Sequence, residues 1–174
     1  VELGGVCVAS HTTAPPGGPP PGARLIKTLG DEVLFAADDA GTAAEIALRL
    51  IEAMTQDETM PALRVGIAFG TVTTRMGDVF GTTVNLASRL TSIAPKDAVL
   101  VDGAFAEELT RTGDAPASEA QAAEEAAVAE KERQEGVESA AAPKYRYGLQ
   151  PMWQRPVRGL GVVEPWLLAR RGTS

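Results

Sequence analysis

Cysteine is almost missing: Cys7 stands alone in 174 residues, which excludes an internal disulfide and points to a reducing, cytoplasmic compartment. Long apolar runs are missing too. No stretch approaches the roughly 18 residues that span a bilayer, and Val1 to Ser10 lacks the basic start of a signal peptide, so a soluble, unexported chain is expected. Basic charge is in deficit, with 16 Lys and Arg against 23 Asp and Glu and a net charge of −7. A nucleic-acid surface needs clustered cations and is excluded; a small anionic substrate held by a few local cations is not. The one histidine, His11, lies in a Pro/Gly stretch with no carboxylate or cysteine cluster beside it and is assigned no metal or catalytic role. The last shortage is local: Glu2 is the only carboxylate before Asp31.

What is present suffices for one domain, since 44% of the residues are hydrophobic. Thr12 to Gly22 is built of Pro and Gly and reads as linker, so residues 1–23 are set apart from a domain over 24–170 and a tail at 171–174. From Arg24, two β-prone runs flank Gly30-Asp31, the signal of a hairpin that presents Asp31 at a strand end. Thr42 and Glu45 have capping-box spacing ahead of a helix whose apolar face is Ile46, Ala47, Leu50, Ile51 and Met54. Leu63 to Phe69 reads as a buried strand, Gly77-Asp78 as a turn, and Thr82 to Ile93 as a second amphipathic helix. Ala98 to Val101 is a short strand, and Asp102 caps a helix through Leu109. Residues 113–143 are an Ala/Glu-rich insert, a solvated helix or a disordered segment with no assigned chemistry. Lys144 to Leu149 and Val162 to Leu168 read as closing strands, and Trp153 and Trp166 as core or interface aromatics. The alternation is that of an α/β (α+β) domain around a mixed sheet, a class shared by many functions.

Two segments carry the chemistry: Lys27-Thr28-Leu29-Gly30-Asp31, and Arg75 to Arg89 (RMGDVFGTTVNLASR). A Lys donor beside an Asp acceptor suits the edge of adenine, which offers a ring-nitrogen acceptor next to an amine donor. Asn85 and Arg89, four apart on one helix, project from one face toward a common ligand. Taken singly, Lys27 reads as a solvated strand-end lysine, Asp78 as a turn residue and the Asn–Arg pair as ordinary helix surface.

Taken together, with Asp78, Asn85 and Arg89 spaced by seven and four behind a VGIAFG strand, they closely resemble the class III adenylate and guanylate cyclases, actinobacterial adenylate cyclases above all. The resemblance covers Arg24 to Leu109 and resumes in the closing strands. It implies a ferredoxin-like cyclase core with a mixed, mainly antiparallel sheet, and ATP as substrate, turned into cyclic AMP and pyrophosphate for intracellular signalling. It further implies that Lys27 and Asp78 select the base, that Asn85 orients the ribose, and that Arg89 stabilises charge on the phosphate in the transition state. Asp31 matches the second of two aspartates that hold a pair of Mg²⁺ or Mn²⁺ ions, and Arg158 stands where a cation faces the triphosphate. A head-to-tail homodimer is implied, with Asp31 from one chain and the other residues from its partner.

The pattern breaks at the N-terminus. Val6 to Thr12 stands where a strand ending in the first metal aspartate is expected, and it contains no acid. A truncated or misassembled reading of an active cyclase, a naturally degenerate relative that binds nucleotide or regulates a partner, and a chain whose partner supplies the missing part all fit this.

Overall fold

The computed structural model describes residues 2–10, 19–57, 59–134 and 144–171. Strands β2 (Ala23–Leu29) and β3 (Glu32–Ala37) form the expected hairpin around Gly30, whose φ of 63° lets the chain reverse. β3 is buried on both sides. Val33, Phe35 and Ala37 face a cluster built with α1 (Ala40–Thr55), while Leu34 and Ala36 face the opposite layer. Helix α1 starts earlier than the Thr42 capping box predicts: Asp39 is the cap, with Thr42 donating to it from its amide and its hydroxyl, each at 2.7 Å. A carboxylate offers two acceptors where a hydroxyl offers one, so Asp39 takes the role and Thr42 becomes its partner.

Strand β4 (Arg64–Thr71) alternates in the same manner, with Val65 and Ile67 toward α1 and Gly66 and Ala68 toward α2 (Thr82–Ile93). β7 (Ala98–Val101) runs parallel to β4, and Asp102 caps α3 (Gly103–Arg111), as expected. The same Asp102 oxygen accepts from the amides of Phe105 and Phe69, each at 3.1 Å, and so ties the helix to the end of β4. The insert contributes helix α4 (Glu119–Gln134), exposed along most of its described length, and residues 135–143 lie outside the described residues.

After it come β8 (Tyr147–Pro151), β9 (Arg155–Val157), β10 (Gly161–Val163) and β11 (Trp166–Arg170). The two closing strands therefore start later than predicted and enclose a small β9–β10 ribbon. Trp166 packs against the core, whereas Trp153 is 86% exposed and is not a core residue.

One expectation is corrected outright. Residues 2–10, grouped above with the linker, form strand β1 (Glu2–Ser10), which pairs antiparallel with β3 on one side and β4 on the other. The resulting sheet runs β2-β3-β1-β4-β7-β11-β8, antiparallel except at β4–β7. Without β1, two central strands would present rows of unpaired backbone groups to each other, and the Val-Cys-Val-Ala run is β-prone enough to fill that gap. The His11 to Gly18 part of the linker lies outside the described residues. Among the described residues, no helix is long and apolar enough to cross a membrane.

Closing strand β11 is fastened to α1 by ions. Arg170 reaches Glu45 at 3.0 Å and Glu52 at 2.8 Å, and the Tyr147 hydroxyl donates to the Gly41 carbonyl at 3.2 Å. Burial pushes the Tyr147 phenol up to about 12, so it stays a donor. For Glu45, burial pulls upward, but hydrogen bonds from Arg170 and Arg49 outweigh it and hold the carboxyl below its ordinary value. A carboxyl so depressed stabilises the fold above its unfolded value of 4.5, and that contribution disappears as pH falls through the folded value. Glu45→Gln is expected to cost about 1.5–3 kcal/mol, and chemical denaturation at pH 7 and near pH 3 checks it: the difference from wild type should shrink at the lower pH.

Candidate functional site

The first cluster forms where a small ribbon meets the outer hairpin. β5 (Thr73–Arg75) and β6 (Asp78–Phe80) are joined by Met76 and Gly77, with φ of 52° and 82°, the double left-handed geometry that suits a tight hairpin. The turn thus lies one residue earlier than Gly77-Asp78, and Asp78 becomes the first residue of β6. From β2, the Lys27 ammonium donates to Asp78 Oδ2 at 2.6 Å, while the Val79 amide donates to Oδ1 at 2.8 Å. These two bonds, Lys27 first, hold the Asp78 carboxyl below the usual carboxylate range and keep it an acceptor. Side-chain exposures of 34% for Lys27 and 29% for Asp78 leave both within reach of a ligand.

The second cluster is carried by α2. The helix starts at Thr82 after the cap residue Gly81, and the Thr83 hydroxyl fixes that start by donating to the Thr71 carbonyl at the end of β4, at 2.9 Å. Asn85, Ser88 and Arg89 then fall on one face, as positions i, i+3 and i+4 must. They line a cleft of about 420 Å³ whose far wall is Arg158, Gly159 and Leu160, from the turn between β9 and β10. Arg89 and Arg158 both line this cleft, and guanidiniums are planar donors suited to phosphate oxygens.

Of the residues singled out from the sequence, the fold brings Lys27 to Asp78, and Asn85 to Arg89 and Arg158. Asp31 joins neither group. It lies in the β2–β3 turn, just past the end of β2 at Leu29, two strand steps or about 7 Å beyond Lys27. Ser88 was missed, although its helical spacing from Asn85 would have found it. Gly159, Leu160 and Phe80 were missed as well; the first two sit in a ribbon that local pattern did not reveal.

A two-ion site can be tested against the sheet register. Ser10, at the end of β1, pairs with Glu32, so this end of the strand meets the turn that holds Asp31. Glu2 pairs with Thr71 at the opposite end, about 26 Å away along a nine-residue strand. Among the described residues there is no group of three or more His, Cys, Asp or Glu that could hold a metal ion. The described residues of one chain do not fit a two-ion site.

Comparison with known proteins gives consistent matches. The family model for the adenylate and guanylate cyclase catalytic domain matches residues 22–137. A Streptomyces griseus protein named adenylate cyclase is 76% identical over 180 aligned residues, covering 99% of this chain and 45% of that protein. Its Streptomyces coelicolor counterpart of the same name is 76% identical over 98% of this chain and 43% of its own length. The chain thus spans less than half of these relatives. Among solved structures, the dimeric guanylyl cyclase domain of the RhoGC fusion protein from Blastocladiella emersonii shares 15% identity at a TM-score of 0.63, covering 99% of this chain and 98% of that one. The adenylyl cyclase CyaB from P. aeruginosa shares 19% at 0.55, over 88% of this chain and 76% of that one. At such identities the structural likeness speaks for the fold alone.

Proposed function

The chain belongs to the adenylate and guanylate cyclase catalytic-domain family, and from that membership we propose that it is an adenylate-type domain converting ATP to cyclic AMP and pyrophosphate. The observation that carries the base assignment is the 2.6 Å contact between Lys27 Nζ and Asp78 Oδ2. A donor and an acceptor held side by side match the adjacent acceptor and amine of adenine, and each retains bonding capacity for the base. Guanine presents the opposite order and leaves both groups mispaired.

The reaction is an intramolecular transfer. The ribose 3′-oxygen bonds to the α-phosphorus, the bond from that phosphorus to the bridging oxygen breaks, pyrophosphate leaves with the electron pair, and the hydroxyl proton passes to solvent. In this reading Asn85 orients the ribose, Arg89 meets the charge that grows on the α-phosphate, and Arg158 holds the trailing phosphates. Arg89→Ala is expected to lower the rate of cyclic AMP formation about 10²- to 10³-fold, with a much smaller change in ATP affinity. Arg89→Lys restores little, because an ammonium cannot make the two parallel bonds of a guanidinium.

From the family membership we infer a head-to-tail homodimer in which Asp31 of one copy faces the base and phosphate residues of the other. Cyclase domains generally use divalent ions, which we infer to be Mg²⁺ or Mn²⁺ here, and among the described residues Asp31 is the one aspartate that the resemblance assigns to them. That shortfall favours a second reading: a module that binds nucleotide and regulates a partner without turnover of its own. Measuring ATP binding and Mn²⁺-supported cyclic AMP formation on one preparation separates the two. Binding with product supports the enzyme, binding without product supports the module, and the absence of both overturns the nucleotide assignment.

A further inference from the structure

Phe80 has no part in the reaction outlined above, yet it is 49% exposed beside the base-reading pair. Its place follows from strand alternation. Val79 turns into the core against Leu34 and Ala68, so Asp78 and Phe80, two apart on β6, share the opposite side. The Lys27 ammonium stands over the Phe80 ring, 5.9 Å from its centroid. One cation is therefore held between a carboxylate and an aromatic face.

Resting on the adenylate-type reading, we propose that Phe80 is the platform on which the purine ring lies while Lys27 and Asp78 read its edge. The ammonium now covers that face of the phenyl ring, so it swings to the edge of the base when the purine takes its place. An exposed phenyl gains little in water, but beneath a base it exchanges solvent for aromatic contact. The division of labour is definite. Edge groups distinguish adenine from guanine, whereas a stacking surface accepts any purine, since every base has a π-face. Phe80 thus sets affinity for the base and leaves selectivity to Lys27 and Asp78.

Equilibrium binding tests this without requiring turnover, using ATP, GTP and inorganic tripolyphosphate as probes for wild type, Phe80→Leu and Phe80→Tyr. Phe80→Leu should weaken ATP and GTP by similar factors, about tenfold, a value within the range for loss of one base–aromatic stack. The ATP-to-GTP ratio should stay constant and tripolyphosphate binding should not change, while Phe80→Tyr, which keeps the ring, should bind like wild type. The proposal is overturned if Phe80→Leu leaves ATP affinity within twofold, weakens tripolyphosphate equally, or alters the oligomeric state seen by sedimentation in step with affinity. Lys27→Ala serves as the reference. If it weakens ATP and Phe80→Leu does not, the platform alone fails; if neither has an effect, the base-reading assignment fails with it.

Discussion

A chain carrying Lys27→Glu and Asp78→Ser together is expected to lose its grip on ATP and prefer GTP, with a swing of about 10²- to 10³-fold in the ratio of the two affinities. Each correctly matched base contact contributes about 1–3 kcal/mol of discrimination, and the double change reverses both contacts. Glutamate at position 27 offers acceptors to the ring N–H and amine of guanine. Serine at position 78 donates to the guanine carbonyl. The single Lys27→Glu variant should behave quite differently. It places a second carboxylate where an ammonium now sits 2.6 Å from Asp78 Oδ2, so the two acids repel, one takes up a proton, and neither base is read well. Poor binding of both nucleotides by the single variant, with GTP binding recovered in the double, is therefore the expected pattern in a direct titration. A double variant that keeps the wild-type preference would show that the pair does not read the base.

How much of this was legible beforehand depended on whether the signal was local. The Lys27 hairpin, the α2 helix and the Asp102 cap each rest on a few neighbouring residues whose propensities agree, and they stand where expected. Their convergence rested on the resemblance to a known family, because nothing local says that Lys27 and Asp78, 51 positions apart, touch. Strand β1 was legible only as a place where the family has a strand, at Val6 to Thr12, and its pairing was hidden for the same reason. Its short apolar run is followed by Pro and Gly, and only two long-range ladders, to β3 and β4, make it a strand. Arg158 fell outside secure reach because Pro156, Gly159 and Gly161 read as loop, whereas the β9–β10 ribbon folds that loop back over Asn85 and Arg89. At Asp39 and Thr42 the error was one of competition between two capping residues three apart, which the carboxylate won.

Gly66→Ala is expected to damage both fold and site, although it adds one methyl group far from any reacting atom. At Gly66 the helix α2 lies directly on β4, and an added Cβ would meet the Ala87 carbonyl oxygen and the Thr91 amide nitrogen at 2.4 Å each, and the Thr91 hydroxyl at 2.7 Å. The nearest two are backbone atoms, so no rotamer change relieves the clash; the helix must move or tilt. Forcing such a group into a packed interior costs about 1–3 kcal/mol or more, which at this chain length lowers the melting temperature by roughly 3–10 °C. The displaced helix takes Asn85 and Arg89 with it, opposite an Arg158 that stays with its own ribbon. A shift of about 1 Å at positioned groups can cost on the order of 10²-fold in rate, and the two guanidiniums should also hold tripolyphosphate less tightly. Gly77→Ala is the control. Its φ of 82° makes any side chain strained, but nothing lies within 4 Å of the added atom, so the cost is only the conformational one, about 1–2 kcal/mol. If both variants melt a few degrees low but only Gly66→Ala loses anion binding at the α2 cleft, the close seating of α2 on β4 is what aims Asn85 and Arg89. Equal retention of binding by both would show that the cleft tolerates movement of its helix and is not preorganised by this contact.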